Sequence, residues 1–228
     1  SFPSGHTLKS AVAWGGLGWH FHEASGREKQ DAARHQLFCW LRNFFFLLLL
    51  VIGFSRNYFG VHTPQDVVVG MALGLFSLFI GRKIWNWQGQ GHANAILAGG
   101  LLFSLLVGAY ISLKGYPMDY LDGKLLVNPA NMVLDGWFNI GAFIGFLVGW
   151  TVERRWIRFE VPTAWPARLC CFLFGGAGLL LVLTALSGCL YLSLGDQWGT
   201  LAAAGVQIFY SIAFYPWLWK QLTKGRTL

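Results

Sequence analysis

An all-α, multi-pass transmembrane helical bundle of about seven helices is the fold this sequence predicts, and three observations predict it. The 228 residues are 55% hydrophobic, 17% aromatic and 12% charged, with a mean hydropathy of +0.48; an ordinary soluble domain carries about 25% charged residues. Apolar runs recur at lengths near the ~20 residues that cross a bilayer core. Basic residues cluster in alternate polar segments rather than spreading evenly.

The elements follow in order. A short first helix is expected near 8–22, rich in glycine (Gly15, Gly16, Gly18), and then a basic polar loop over 23–37. The Phe/Leu-rich run predicts a second helix near 38–54. A third, near 65–84, is announced by Thr63-Pro64-Gln65-Asp66: a capping residue, a proline at the first helical position and an acid at the third. Residues 85–92 (WNWQGQGH) read as a polar connector before a fourth helix near 93–113. The segment 114–131 (KGYPMDYLDGKLLVNPAN) is polar and aromatic. Its Asp119, Asp122, Lys124 and Asn128 suit either headgroup contact or a solvated connector. Three more apolar stretches predict helices near 132–152, 168–194 and 198–219. The division is into a half carrying the motifs described below, 1–84, and a C-terminal membrane extension of about four helices, 85–228.

Charge sets the expected orientation. Let the Ser1 end lie outside and seven helices alternate. Of the 17 basic residues, 13 then fall inside and 4 (Lys9, Arg56, Lys114, Lys124) outside. Positive residues stay on the cytoplasmic side, so the net charge of +7 is a topology signal and no nucleic-acid partner is expected. Cys39, Cys170, Cys171 and Cys189 fall in or beside apolar segments without zinc-like spacing, and are expected to be buried packing residues rather than disulfides. Gly70 and Gly74, and Gly141, Gly145 and Gly149, make small-residue stripes at four-residue spacing. Such stripes serve close helix packing, within the chain or across a homodimer; a homodimer is possible but not indicated. Tryptophans near helix ends (Trp85, Trp87, Trp150, Trp156, Trp165, Trp198, Trp217, Trp219) suggest interfacial belts.

Chemistry concentrates in two motifs, Pro3-Ser4-Gly5-His6 and then Ser55-Arg56 followed by His62 and Asp66. Their joint occurrence in this order by chance is on the order of one in a million at ordinary residue frequencies. They bring two imidazoles, a guanidinium and a carboxylate, the parts of a phosphoryl-transfer site.

These motifs resemble the second (PSGH) and third (SRxxxxxHxxxD) motifs of the membrane branch of the type-2 phosphatidic acid phosphatase superfamily, over residues 1 to about 84. Soluble vanadium haloperoxidases and glucose-6-phosphatase share the constellation. The family's first motif, a Lys and an Arg-Pro pair, is not in this sequence, which starts at Ser1 without an initiator Met; the expectation is a fragment with little activity as given.

The resemblance implies an integral membrane hydrolase acting on a lipid phosphate monoester or diphosphate, without metal or other cofactor, through a phosphohistidine. It places the site on the extracytoplasmic face of a plasma or inner membrane. His62 is then the nucleophile and Asp66 its orienting carboxylate, though capping alone also accounts for Asp66. His6 is the general acid for the leaving alkoxide. Arg56, Ser4, Gly5 and Ser55 are the phosphate-binding set, with the helix start behind His6 supplying amides and dipole and Arg56 a bidentate grip. Lys9 supplements the phosphate pocket or lies at the interface. His20 and His22 beside Glu23 read as a polar helix end rather than a metal site; His35 and His92 carry no signal. The alternatives are a catalytically silent membrane binding or assembly protein, and a lipid phosphotransferase.

Overall fold

Side-chain caps start four of the five helices counted among the described residues. In the computed structural model, which describes residues 2–116, 118, 120–121, 124–125 and 128–224, the Ser4 side chain accepts the Thr7 amide and opens α1 (Gly5–Arg27). Asp31 caps α2 (Ala32–Tyr58) by accepting from the Arg34 amide. Thr63 opens α3 (Pro64–Leu113) and Asn128 opens α4 (Pro129–Ile157), each ahead of a proline at the first helical position; proline fits there because its missing N–H would be unpaired anyway. Trp165–Leu222 is α5. Tyr120–Leu121 (β1) and Lys124–Leu125 (β2) form a two-residue antiparallel pairing between α3 and α4. The other described residues are helical apart from short connectors.

Five helices are counted among the described residues against the expected seven or so. The connector expected over 85–92, and the gap between the helices expected near 168–194 and 198–219, each fall inside one of the five, at a single glycine that breaks the helical backbone. In α3 the break is Gly91 (φ 97°, ψ 0°), and in α5 it is Gly195 (φ 75°, ψ 177°). Both backbones lie where only glycine is unstrained. At 1.5 Å per residue the 50 residues of α3 would make a straight rod of about 75 Å, over twice a ~30 Å bilayer core. By length and composition α2, α3, α4 and α5 qualify to cross one; the glycine-diluted α1 is not among them.

The expected loop over 23–37 is also corrected, because α1 runs to Arg27 and α2 starts at Ala32. The Glu23–Arg27 pair one turn apart (3.8 Å) and the Asp31 cap hold these polar ends helical. Likewise Ser55 and Arg56 lie inside the last turn of α2 rather than beyond it.

Residues 1–91 and 92–228 form two compact units. In the N-terminal unit α1 packs on α2 and on the Pro64–Trp87 part of α3. A Cβ at Gly70 would meet the Ser4 carbonyl oxygen at 2.7 Å, and one at Gly74 the Leu8 carbonyl oxygen at 2.7 Å. In the C-terminal unit Gly141 and Gly145 face the backbone of Leu201 and Gly205 in α5, and Gly149 faces Ile212. Both glycine stripes therefore serve packing within the chain.

Apolar side chains cover the outside of both units, with Leu113 86% and Leu192 91% exposed. In water such a surface would aggregate, and in lipid it is the solvated face. All four cysteines are free, and Cys170 and Cys189 are exposed on this apolar surface rather than buried. Of the expected belt tryptophans, Trp150 and Trp219 are instead buried in the core.

Candidate active site

The three helix ends that carry the motifs are tied together by backbone. The Ser4 amide donates to the Asp66 carbonyl (3.0 Å), joining the start of α1 to the first turn of α3. The Ser4 hydroxyl is fully buried and receives both the Thr7 amide (3.4 Å) and the Thr7 hydroxyl (3.0 Å). Ser4 thus shapes the turn from inside. Gly5 faces open space, since an added Cβ would meet nothing within 4 Å, and His6 and Lys9 are exposed. This is an accessible helix start, where first-turn amides have no intrahelical acceptor.

The end of α2 closes on the same place. A Cβ at Gly53 would lie 3.1 Å from Val67 Cγ1 of α3 and 4.0 Å from Thr7 Cγ2 of α1, so the three helices meet one turn below Arg56. The Ser55 hydroxyl donates back to the Ile52 carbonyl (2.8 Å), which spends its proton inside the helix. Arg56 Nε is buried with no hydrogen-bond partner among the described residues. A buried guanidinium nitrogen left unpaired is costly, and an anion is the partner that would relieve it.

Beyond α2 the chain turns through Gly60 (φ 65°) to His62, whose Nδ1 lies 3.4 Å from Asp66 Oδ2. An ionised carboxylate only accepts, so the proton sits on Nδ1 and the lone pair on Nε2. The same Oδ2 accepts the Thr63 amide at 2.9 Å while Thr63 Oγ1 accepts the Asp66 amide at 3.3 Å, a complete capping box. Capping and imidazole contact are thus both present at Asp66. The side chains of His62 and Asp66 are 10% and 17% exposed, sheltered but reachable.

Asn57 is a residue that motif reading passed over. Its amide nitrogen is placed to donate to the carbonyls of His62 (3.2 Å) and Thr63 (3.3 Å), strapping the His62 turn to the end of α2. It occupies an unspecified position between the motif's Arg56 and His62, so spacing gave no signal.

Other expected candidates lie elsewhere. His20, His22 and His35 sit near the far end of α1 and the start of α2, the first two more than about 20 Å along α1 from His6. Asn128 spends its side-chain oxygen on the Ala130 amide (3.0 Å) as a helix cap; Asp119 and Asp122 fall outside the described residues. Among the described residues no three His, Cys, Asp or Glu side chains group as a metal site.

Comparison with known families matches both units. Residues 1–90 match the PAP2 superfamily, and residues 138–226 match the family described as PAP2 superfamily phosphatase, transmembrane extension. No curated protein and no solved structure matches the chain.

Proposed function

The chain belongs to the PAP2 superfamily, a family of membrane phosphatases, and from that premise we propose that it hydrolyses a lipid phosphate or lipid diphosphate through a phosphohistidine on His62. One observation carries the reading: the buried, unpartnered Arg56 Nε on the turn that leads to the His62–Asp66 pair. A guanidinium with one nitrogen buried and unpaired, on the turn that leads to an oriented imidazole, suits an anionic group such as a phosphoryl.

In the first step the Nε2 lone pair of His62 attacks phosphorus. The bond from phosphorus to the leaving oxygen breaks, and protonated His6 gives that oxygen its proton. Asp66 holds the Nδ1 proton and stabilises the charge that builds on the ring. Arg56 and the first-turn amides of α1 offset the charge on the non-bridging oxygens. In the second step neutral His6 takes a proton from water, the water oxygen attacks phosphorus, and the phosphorus–nitrogen bond breaks. Inorganic phosphate leaves in either case, the lipid alcohol or, from a diphosphate, the lipid monophosphate having departed in the first step, and His6 is again protonated. Arg27, Lys29, Arg34, Arg42, Arg82 and Lys83 lie toward the opposite ends of the same helices. By the positive-inside rule this supports a site on the extracytoplasmic face of a plasma or inner membrane.

The test is phosphoenzyme trapping in the purified protein with a radiolabelled lipid phosphate. His62→Ala is expected to lose turnover and label together. With a good leaving group, His6→Ala is expected to accumulate label, because only the second step then needs a base. Equal loss of label in both variants would sink the separate roles. Transfer of label to an added acceptor lipid in place of water would make the enzyme a phosphotransferase.

A further inference from the structure

A second cavity opens in the N-terminal unit at the end away from the motifs, between the last turns of α1 and the first turns of α2. It is an open cavity of about 650 Å³, and its walls include Trp19, Glu23, Gly26, Lys29, His35 and Arg42. Counting 1.5 Å per residue from His6 to Gly26, it lies about 30 Å from the site described above, roughly a bilayer core away. On the orientation proposed above, that end is the opposite membrane surface.

The acids around this cavity are already engaged. Glu23 pairs with Arg82 and with Arg27, and also accepts the Trp19 indole proton (2.9 Å). The hydrogen bond from Arg82 comes first among the causes that hold the Glu23 carboxyl below its ordinary range. Glu28 and Asp31 both pair with Arg34, at 3.9 Å and 3.4 Å. His35 donates Nδ1–H to the Ser25 carbonyl (2.8 Å), which fixes its ring in the wall. Lys29 and Arg42 remain. Both line the cavity, and among the described residues neither has a carboxylate within salt-bridge distance; Arg42 Nε donates only to the neutral Asn43 side chain (3.0 Å).

We propose that this cavity binds a phosphate-bearing anion through Lys29 and Arg42, at the membrane face opposite the motifs. A basic pocket between helix ends at the bilayer surface is where an anionic lipid headgroup is held. The cavity then seats a phospholipid headgroup of the far leaflet while catalysis proceeds on the near one. Nothing in the proposal depends on the catalytic reading.

The experiment uses purified protein carrying His62→Ala and Arg56→Gln, so that no lipid is turned over or gripped at the motifs. Native mass spectrometry from neutral detergent compares dioleoyl phosphatidylglycerol with dioleoyl phosphatidylcholine. One phosphatidylglycerol per chain should survive in preference to phosphatidylcholine. Adding Lys29→Gln with Arg42→Gln should weaken its retention about 25-fold, from about 1 kcal/mol for each basic residue near the surface. The charge-keeping pair Lys29→Arg with Arg42→Lys should restore it, which separates lost charge from lost folding. Displacement by millimolar inorganic phosphate would make free phosphate the occupant; no displacement makes it the lipid headgroup. Equal retention of the two lipids, or phosphatidylglycerol retention unchanged in the double-glutamine variant, overturns the proposal.

Discussion

The N-terminal and C-terminal units each bury a side-chain nitrogen that has no hydrogen-bond partner among the described residues, Arg56 Nε in α2 and Trp137 Nε1 in α4. The two have different consequences. Trp137 is neutral and sits against Gly108 and the Trp198 ring, with centroids 5.3 Å apart. One unmade bond there costs about 1–3 kcal/mol, which aromatic packing offsets. Arg56 is charged, and it precedes the His62–Asp66 pair by six residues. Buried polarity thus marks a ligand site only where it carries charge beside chemistry that needs a counter-ion.

The sharpest way to break this comparison is to remove both nitrogens. Arg56→Ala should cut lipid phosphate turnover about a hundredfold, or ~3 kcal/mol of transition-state stabilisation, without lowering the unfolding temperature. Trp137→Phe should leave turnover unchanged and stability equal or higher. A similar turnover loss in both variants would dissolve the distinction.

A second test uses the glycine stripes, which perform the same packing in both units. Gly70→Ala and Gly145→Ala each push a Cβ into a facing carbonyl, and both should destabilise by about 1–3 kcal/mol. Only Gly70→Ala displaces Ser4, whose amide holds Asp66. It alone should lower kcat, by roughly tenfold or more, since small misplacements at a reacting centre are costly. Comparable kcat in the two variants at matched stability would show that the Ser4–Asp66 link does not position the site.

Asn57 gives the smallest effect. Asn57→Ala removes donors to the His62 and Thr63 carbonyls and should slow turnover about fivefold, near 1 kcal/mol. KM should hold, because the Asn57 amide is engaged by these two carbonyls; a shift in KM alone would assign it to binding instead.

Much of this was legible in the sequence, and what was missed has a physical reason. Helix interiors near 38–54, 93–113 and 132–152 lie within α2, α3 and α4 because apolar runs of that length have few other folds available. His62 and Asp66, four residues apart, stand in contact because the capping turn between them is local. Helix ends were missed where polar residues stay helical through pairs and caps, as between Glu23 and Arg34. The glycine bends were read as loops because composition alone does not distinguish one residue at positive φ from a short connector. Asn57 was passed over because its partners are carbonyls, which leave no trace in side-chain spacing.

The shared oxygen of Asp66 has an evolutionary consequence. Because Oδ2 both seals the start of α3 and faces His62, a lineage that stopped using the imidazole would still lose helix stability by replacing the aspartate. The residue is expected to outlive activity. Arg56 is the opposite case, since an idle copy keeps an unpaired charge buried for no return and drift should discard it quickly. Across homologues, a surviving arginine at position 56 is therefore the better diagnostic of a working enzyme, and an intact aspartate at position 66 the weaker one.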